Sequence, residues 1–135
     1  MPKFLVHRRP DKNQVEIRDA LRAVGIHVIE LDGVSGGCPD LAVRNKQGTV
    51  VFIEIKNIAD KKAVLKKSQV LWLSSYPGFC GVATNFDEAW CLATQPETAC
   101  LDASQKLKLA QYHATMTTKE VWLNTILKAL NGDDK

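Results

Sequence analysis

The sequence predicts an α/β fold in which a mixed central sheet is flanked by helices in the order αβββαβ, with further helices after that core. Three observations predict it. From Thr49 to Lys56 side chains alternate with period two, and the stretch is apolar on both faces at first, with Val51, Ile53 and Ile55 on one and Val50 and Phe52 on the other; a strand of that kind is central in a sheet. Ahead of it, Ile17, Ala20, Leu21 and Val24 recur at helical spacing. Behind it, a helical stretch stopped by Pro77-Gly78 leads to the short apolar run Phe79 to Thr84. The 135 residues make one domain by length, able to bury roughly two thirds of the unfolded surface.

Taken in order, residues 1 to 12 form a basic arm with Arg8, Arg9 and Lys12, which Pro10 keeps out of the first helix. Asn13 followed by Glu16 reads as a capping-box start, and Gly25 ends that helix. His27 to Leu31 is the first strand. Gly33, Gly36 and Gly37 then let main chain approach something closely, either within a tight turn or against a DNA phosphate. No Gly-Lys-Ser/Thr ending follows, so this is not a P-loop and no nucleotide cofactor is expected. Leu41 to Arg44, a polar turn from Asn45 to Gly48, and Thr49 to Lys56 form a hairpin. A basic loop with Lys61, Lys62, Lys66 and Lys67 leads to a helix over about Leu65 to Tyr76, with Gln69, Trp72, Leu73 and Tyr76 on one face. After the strand Phe79 to Thr84, Asn85 with Glu88 caps a helix containing Ala89, Trp90, Leu92 and Ala93, which completes the core over about residues 13 to 93. Beyond it lies a helical extension over about 95 to 132: a polar connection opened by Pro96, a helix from Ala103 to Tyr112, and another from Thr117 to Gly132. The last is apolar over more than half its circumference, through Val121, Trp122, Leu123, Ile126, Leu127, Ala129 and Leu130.

Apolar residues at 45% and charged residues at 24% are ordinary for a globular domain. The uncharged run from Ser68 to Phe86 is broken by Gln69, Ser74, Ser75, Pro77, Gly78 and Asn85, so no membrane span is expected, and Met1 to Arg9 holds too short an apolar stretch for a signal peptide. The expected location is the cytoplasm. Cys38, Cys80, Cys91 and Cys100 form no CxxC pair and have no zinc-ligand spacing with His7, His27 or His113; they read as reduced core residues, with Cys38 set apart by its place in the glycine loop. The net charge of +3 matters less than its distribution, since Lys56, Lys61, Lys62, Lys66 and Lys67 cluster with only Asp60 opposing them. Such a cluster is either a solvated loop or a contact for phosphates.

Glu54 and Lys56 lie on one face at the end of the central strand, where two charges are costly to desolvate without partners. They are an ion pair at a wet strand end, or a carboxylate and a cation converging with Asp40. The combination Pro39-Asp40 and Glu54-Ile55-Lys56, with a glycine-rich approach to Pro-Asp, Glu16 in the preceding helix and Gln69, Trp72 and Leu73 downstream, resembles the VRR-NUC branch of the PD-(D/E)XK nuclease superfamily. That resemblance covers roughly residues 13 to 93 and implies a restriction-endonuclease-like core. It also implies that Asp40, Glu54 and the main-chain carbonyl of Ile55 hold Mg²⁺ or Mn²⁺, with Glu16 helping to hold the metal or its waters, unless Glu16 is simply a cap. Gln69 would point at the active site, and Lys56 would orient the attacking water, offset charge on the phosphate or act as a base.

The implied activity is hydrolysis of DNA phosphodiester bonds, leaving a 5′-phosphate and a 3′-hydroxyl, with Arg8, Arg9, Lys61, Lys62, Lys66 and Lys67 on the phosphate backbone. Stand-alone members of this family resemble homodimeric junction resolvases, so branched DNA such as a four-way junction is the expected substrate, in repair or recombination. A non-catalytic nucleic-acid-binding or dimerisation module on the same fold, and a nuclease for flaps, linear ends or RNA, are the alternatives.

Overall fold

The alternating apolar strands assemble into one four-stranded sheet in a computed structural model that describes residues 12–31, 34–59, 64–115 and 121–122. Helix α1 (Lys12–Ala23) precedes β1 (His27–Glu30), β2 (Leu41–Arg44) and β3 (Val50–Ile55); a two-residue strand β4 (Val64–Leu65) leads into α2 (Lys67–Ser75), β5 (Phe79–Ala83) and α3 (Phe86–Thr94). The order along the sheet is β1-β2-β3-β5, antiparallel except for the parallel pair β3/β5. The fold is therefore α/β with a mixed sheet flanked by helices, and the αβββαβ order is present with β4 inserted.

Strand alternation sorts the core into two layers. On one face Val51, Ile53 and Ile55 of β3, with Leu41 and Val43 of β2, pack against Ile17 and Leu21 of α1 and Ala89, Leu92 and Ala93 of α3. On the other, Phe52 and Cys80 meet Val70 and Leu73 of α2, Leu65 of β4 and Leu109 of α5 (Ala103–Thr115). Trp72 and Tyr76 stack at 4.7 Å and both contact the Phe52 ring, seating α2 on the sheet. The parity that puts Phe52 on the α2 face puts Glu54 there as well, away from α1.

Local chemistry sets the junctions. Gly25, at φ +87, closes α1 in a Schellman motif, with Ile26 N donating to Leu21 O and Gly25 N to Arg22 O. The β2–β3 turn is built around buried Asn45, whose Oδ1 accepts from Gln47 N and Thr49 N while its Nδ2 donates to Ala93 O of α3. Asn85 caps α3 by accepting from Glu88 N, as its spacing predicts.

Several boundaries differ from the sequence reading. α1 begins at Lys12, so Asn13 lies inside the helix rather than capping it. The helix expected from Leu65 begins at Lys67, because Val64 and Leu65 pair as a strand. Pro96 opens a short helix, α4 (Pro96–Ala99), in place of a polar connection; its ring presets the first helical φ. The helix expected over Thr117 to Gly132 is contradicted at Val121–Trp122, which form β6, antiparallel to β4. β-branched and aromatic residues suit a strand, and the pairing supplies hydrogen bonds that no local periodicity reveals. The rest of that stretch lies outside the described residues, as do residues 1 to 11 of the basic arm; Lys12, the last residue of that arm, is the first of α1. Among the described residues no helix is long and apolar enough to cross a membrane.

Candidate metal centre and active site

The site lies at one end of the sheet, where Asp40 enters β2 and Glu54 nears the end of β3. Asp40 is fastened to the neighbouring strand by its own carboxylate, Oδ2 accepting from Ile55 N at 2.9 Å. Glu54, two residues beyond Phe52 on the α2 face, is only 2% exposed. Its Oε2 takes two donors, Gln69 Nε2 at 3.0 Å and Lys56 Nζ at 3.2 Å. Its Oε1 is buried and has no hydrogen-bond partner among the described residues. An unsatisfied buried carboxylate oxygen is costly, and native interiors seldom keep one without a ligand or function.

Burial, reinforced by the nearby Asp40 carboxylate, pushes the Glu54 carboxyl up to about 8 against the opposing pull of Lys56. Among the described residues the site thus holds more acid than the Lys56 ammonium compensates. A cation beside Glu54 Oε1 would reverse the balance, and the donors on offer are all oxygen: the carboxylates of Asp40 and Glu54 and main-chain carbonyls such as that of Ile55. That set suits a hard divalent ion of the Mg²⁺ or Mn²⁺ type, which keeps several waters and needs few protein ligands. Among the described residues no three His, Cys, Asp or Glu side chains gather to hold a metal, and the carboxylates that face one another here are those of Asp40 and Glu54.

Gln69 reaches Glu54 from the first turn of α2. Its Oε1 accepts from Lys66 N at 3.0 Å, which leaves the amide Nε2 directed at Glu54. The orientation of the amide therefore follows from the backbone donor it caps. Gly37, at φ +80, sits against that same turn; a Cβ there would lie 2.2 Å from Ser68 O and 2.8 Å from Gln69 N. What Gly37 lets the chain approach is thus the α2 main chain. The glycine loop locks the helix carrying Gln69 beside the loop leading into Asp40.

Four predicted residues, Asp40, Glu54, Lys56 and Gln69, come together. Glu16 does not join them: its side chain is 63% exposed and pairs with Lys12 at 3.9 Å on the helix that packs against the opposite face of the sheet. Nor does it cap, since the helix has already begun. The α1 residue that reaches the site end of the sheet is Asn13, whose Nδ2 donates to Lys56 O at 2.9 Å and Thr84 O at 3.2 Å. Sequence reasoning missed it because Asn three residues before Glu is the ordinary signature of a helix start. Lys66 and Lys67 are exposed at the N-terminus of α2 beside Gln69, whereas Arg8, Arg9, Lys61 and Lys62 lie outside the described residues. Burial and the Glu54 and Asp40 carboxylates push the Cys38 thiol up, which disfavours the reactive thiolate. Cys80 and Cys100 are buried as expected; Cys91 is exposed, and all four thiols are free.

Comparison of the chain with protein-family models, with curated proteins and with solved structures finds no match.

Proposed function

We propose that the protein is a Mg²⁺- or Mn²⁺-dependent endonuclease of the VRR-NUC type that hydrolyses phosphodiester bonds in branched DNA, acting in the cytoplasm as a homodimer in repair or recombination. The observation that carries the reading is the buried Glu54 carboxylate beside that of Asp40, its Oε1 without a hydrogen-bond donor among the described residues while Lys56 and Gln69 are both committed to the other oxygen. A module that only binds DNA would have no use for it.

Asp40, Glu54 and the Ile55 carbonyl would hold the ion. When bound, it polarises the scissile phosphate and acidifies a water for in-line attack. Asp40 meanwhile stays tied to Ile55 N, so the two strands carrying the ligands keep their spacing. Gln69 and Lys56, by holding Glu54 Oε2, fix the rotamer that presents Oε1. Lys56, 16% exposed at its side chain, supplies the positive charge that offsets the phosphate as negative charge builds on it, and steers the attacking water. Lys66 and Lys67, together with the N-terminal dipole of α2, add sequence-independent attraction for the phosphate backbone close by.

The test is cleavage of labelled four-way junction, splayed-arm, flap and linear duplex DNA in either metal. Cutting of branched DNA that Asp40→Ala and Lys56→Ala both abolish is the expected result. A protein that binds these DNAs and cuts none is a binding module instead.

A further inference from the structure

Asn13 donates both hydrogens of its amide across long stretches of chain, one to Lys56 O and one to Thr84 O. These are the carbonyls just beyond the ends of β3 and β5, the only parallel pair of the described sheet. Lys56 is the last residue held by that pair, through Lys56 N to Ala83 O at 3.0 Å. Past it the chain turns away, with Asn57 Oδ1 accepting from Ala59 N. Lys56 is therefore gripped at two points, its amide by β5 and its carbonyl by α1. Its ammonium, at the far end of a four-carbon stem, meets Glu54 Oε2 at 3.2 Å.

We propose that Asn13 is a positioning residue, which acts through the main chain of Lys56 to hold that ammonium at Glu54. The proposal rests on the nuclease reading only for its catalytic consequence. Without the Asn13 amide, the main chain of Lys56 hangs on one hydrogen bond and becomes a pivot between the strand and the turn that follows. A small rotation there is multiplied along the lysine stem, and displacements of about 1 Å at a catalytic group can cost about 100-fold in rate. Thr84 matters for the same reason, because its carbonyl shares the clamp and keeps β5 level with β3. The N-H and hydroxyl of Thr84 are both held by Glu88 Oε1, so the far side of the clamp is itself anchored in α3.

The experiment has two readouts. In the first, the side-chain NMR signals of Lys56 are followed in metal-free wild type, Asn13→Ala and Asn13→Asp; Arg18→Ala, on the same helix as Asn13, breaks the ion pair to Glu30 of β1 and serves as the control. The proposal expects the dispersed Lys56 signal to collapse towards that of a free lysine in both Asn13 variants and to stay in place in the control. An unchanged Lys56 signal in folded Asn13→Ala overturns it, whatever the activity. Asn13→Ser, which retains one donor, replaces the alanine variant if that chain does not fold. In the second readout, cleavage is compared among Asn13→Ala, Lys56→Met and the double variant. A residue acting through Lys56 gives a double variant no slower than Lys56→Met alone, whereas Asn13→Ala by itself is slower than wild type by about tenfold or more. Multiplying effects would overturn the proposal. If wild type cuts no DNA, the nuclease reading falls, and the NMR result still decides the role of Asn13.

Discussion

Replacing Glu54 by Gln should make the metal-free protein more stable, while removing its capacity for metal. In the native chain the carboxyl titrates at about 8 against an ordinary value of 4.5. Between those values the folded protein holds a proton that the unfolded chain has released. Stability therefore falls as pH rises through that window and is restored below it. Each unit of pH costs about 1.4 kcal/mol, so the window from 4.5 to about 8 amounts to about 5 kcal/mol of stability lost as pH rises through it. Glutamine carries no charge to bury. Its oxygen can still accept from Gln69 and Lys56, and its amide can donate towards Asp40, where Glu54 Oε1 has no donor among the described residues. The weakened bond to the Lys56 ammonium takes back about 1–2 kcal/mol. A net gain of about 3 kcal/mol remains, or a Tm increase of about 9–15 °C for a domain of this size. Thermal melts in EDTA at about pH 8 and about pH 5 measure it: Glu54→Gln should melt higher at the first and level with wild type at the second. Added Mg²⁺ should stabilise wild type alone. A variant that melts below wild type at about pH 8 without metal, or a pH dependence that the substitution leaves unchanged, would refute the reasoning.

Gly37→Ala places a Cβ 2.2 Å from Ser68 O at φ +80, so denaturant unfolding should show a loss of at least about 2 kcal/mol. Gly36→Ala, with open space around its Cβ, should cost about 1 kcal/mol from its φ of +86 alone. Glu16→Gln should cut DNA within about twofold of wild type, its carboxylate being exposed on the far side of the sheet, while Lys56→Met should lose about 100-fold or more. Replacing both Lys66 and Lys67 by Ala should reduce the slope of log affinity against log salt by about two in DNA-binding titrations, with little change in Tm.

Much of this was legible in the sequence where one local rule sufficed. Period-two alternation put Glu54 and Lys56 on one face of β3, and the apolar residues around them marked that strand as central. Pro39-Asp40 after a glycine loop drew attention for the same reason, but what Gly37 approaches depends on α2, about thirty residues later. Gln69 was visible only through resemblance, since nothing local distinguishes it from a surface glutamine until Lys66 N and Glu54 take its two ends. Asn13 rather than Glu16 reaches the site because the capping pattern is a local signal, while the bonds from Asn13 to Lys56 and Thr84 are tertiary and override it. The pairing of β4 with β6 escaped for a related reason: two residues on each side are too few to set a period, and Val121 and Trp122 fall within an apolar pattern that also fits a helix.

The most direct test of the central claim is Mn²⁺ binding to the intact protein, followed by electron paramagnetic resonance or calorimetry, in wild type, Asp40→Ala and Glu54→Gln. The carboxylate pair should make wild type bind the ion, and each substitution should weaken that binding by about tenfold or more. A wild type that takes up no Mn²⁺, or variants that bind it as wild type does, would contradict the account.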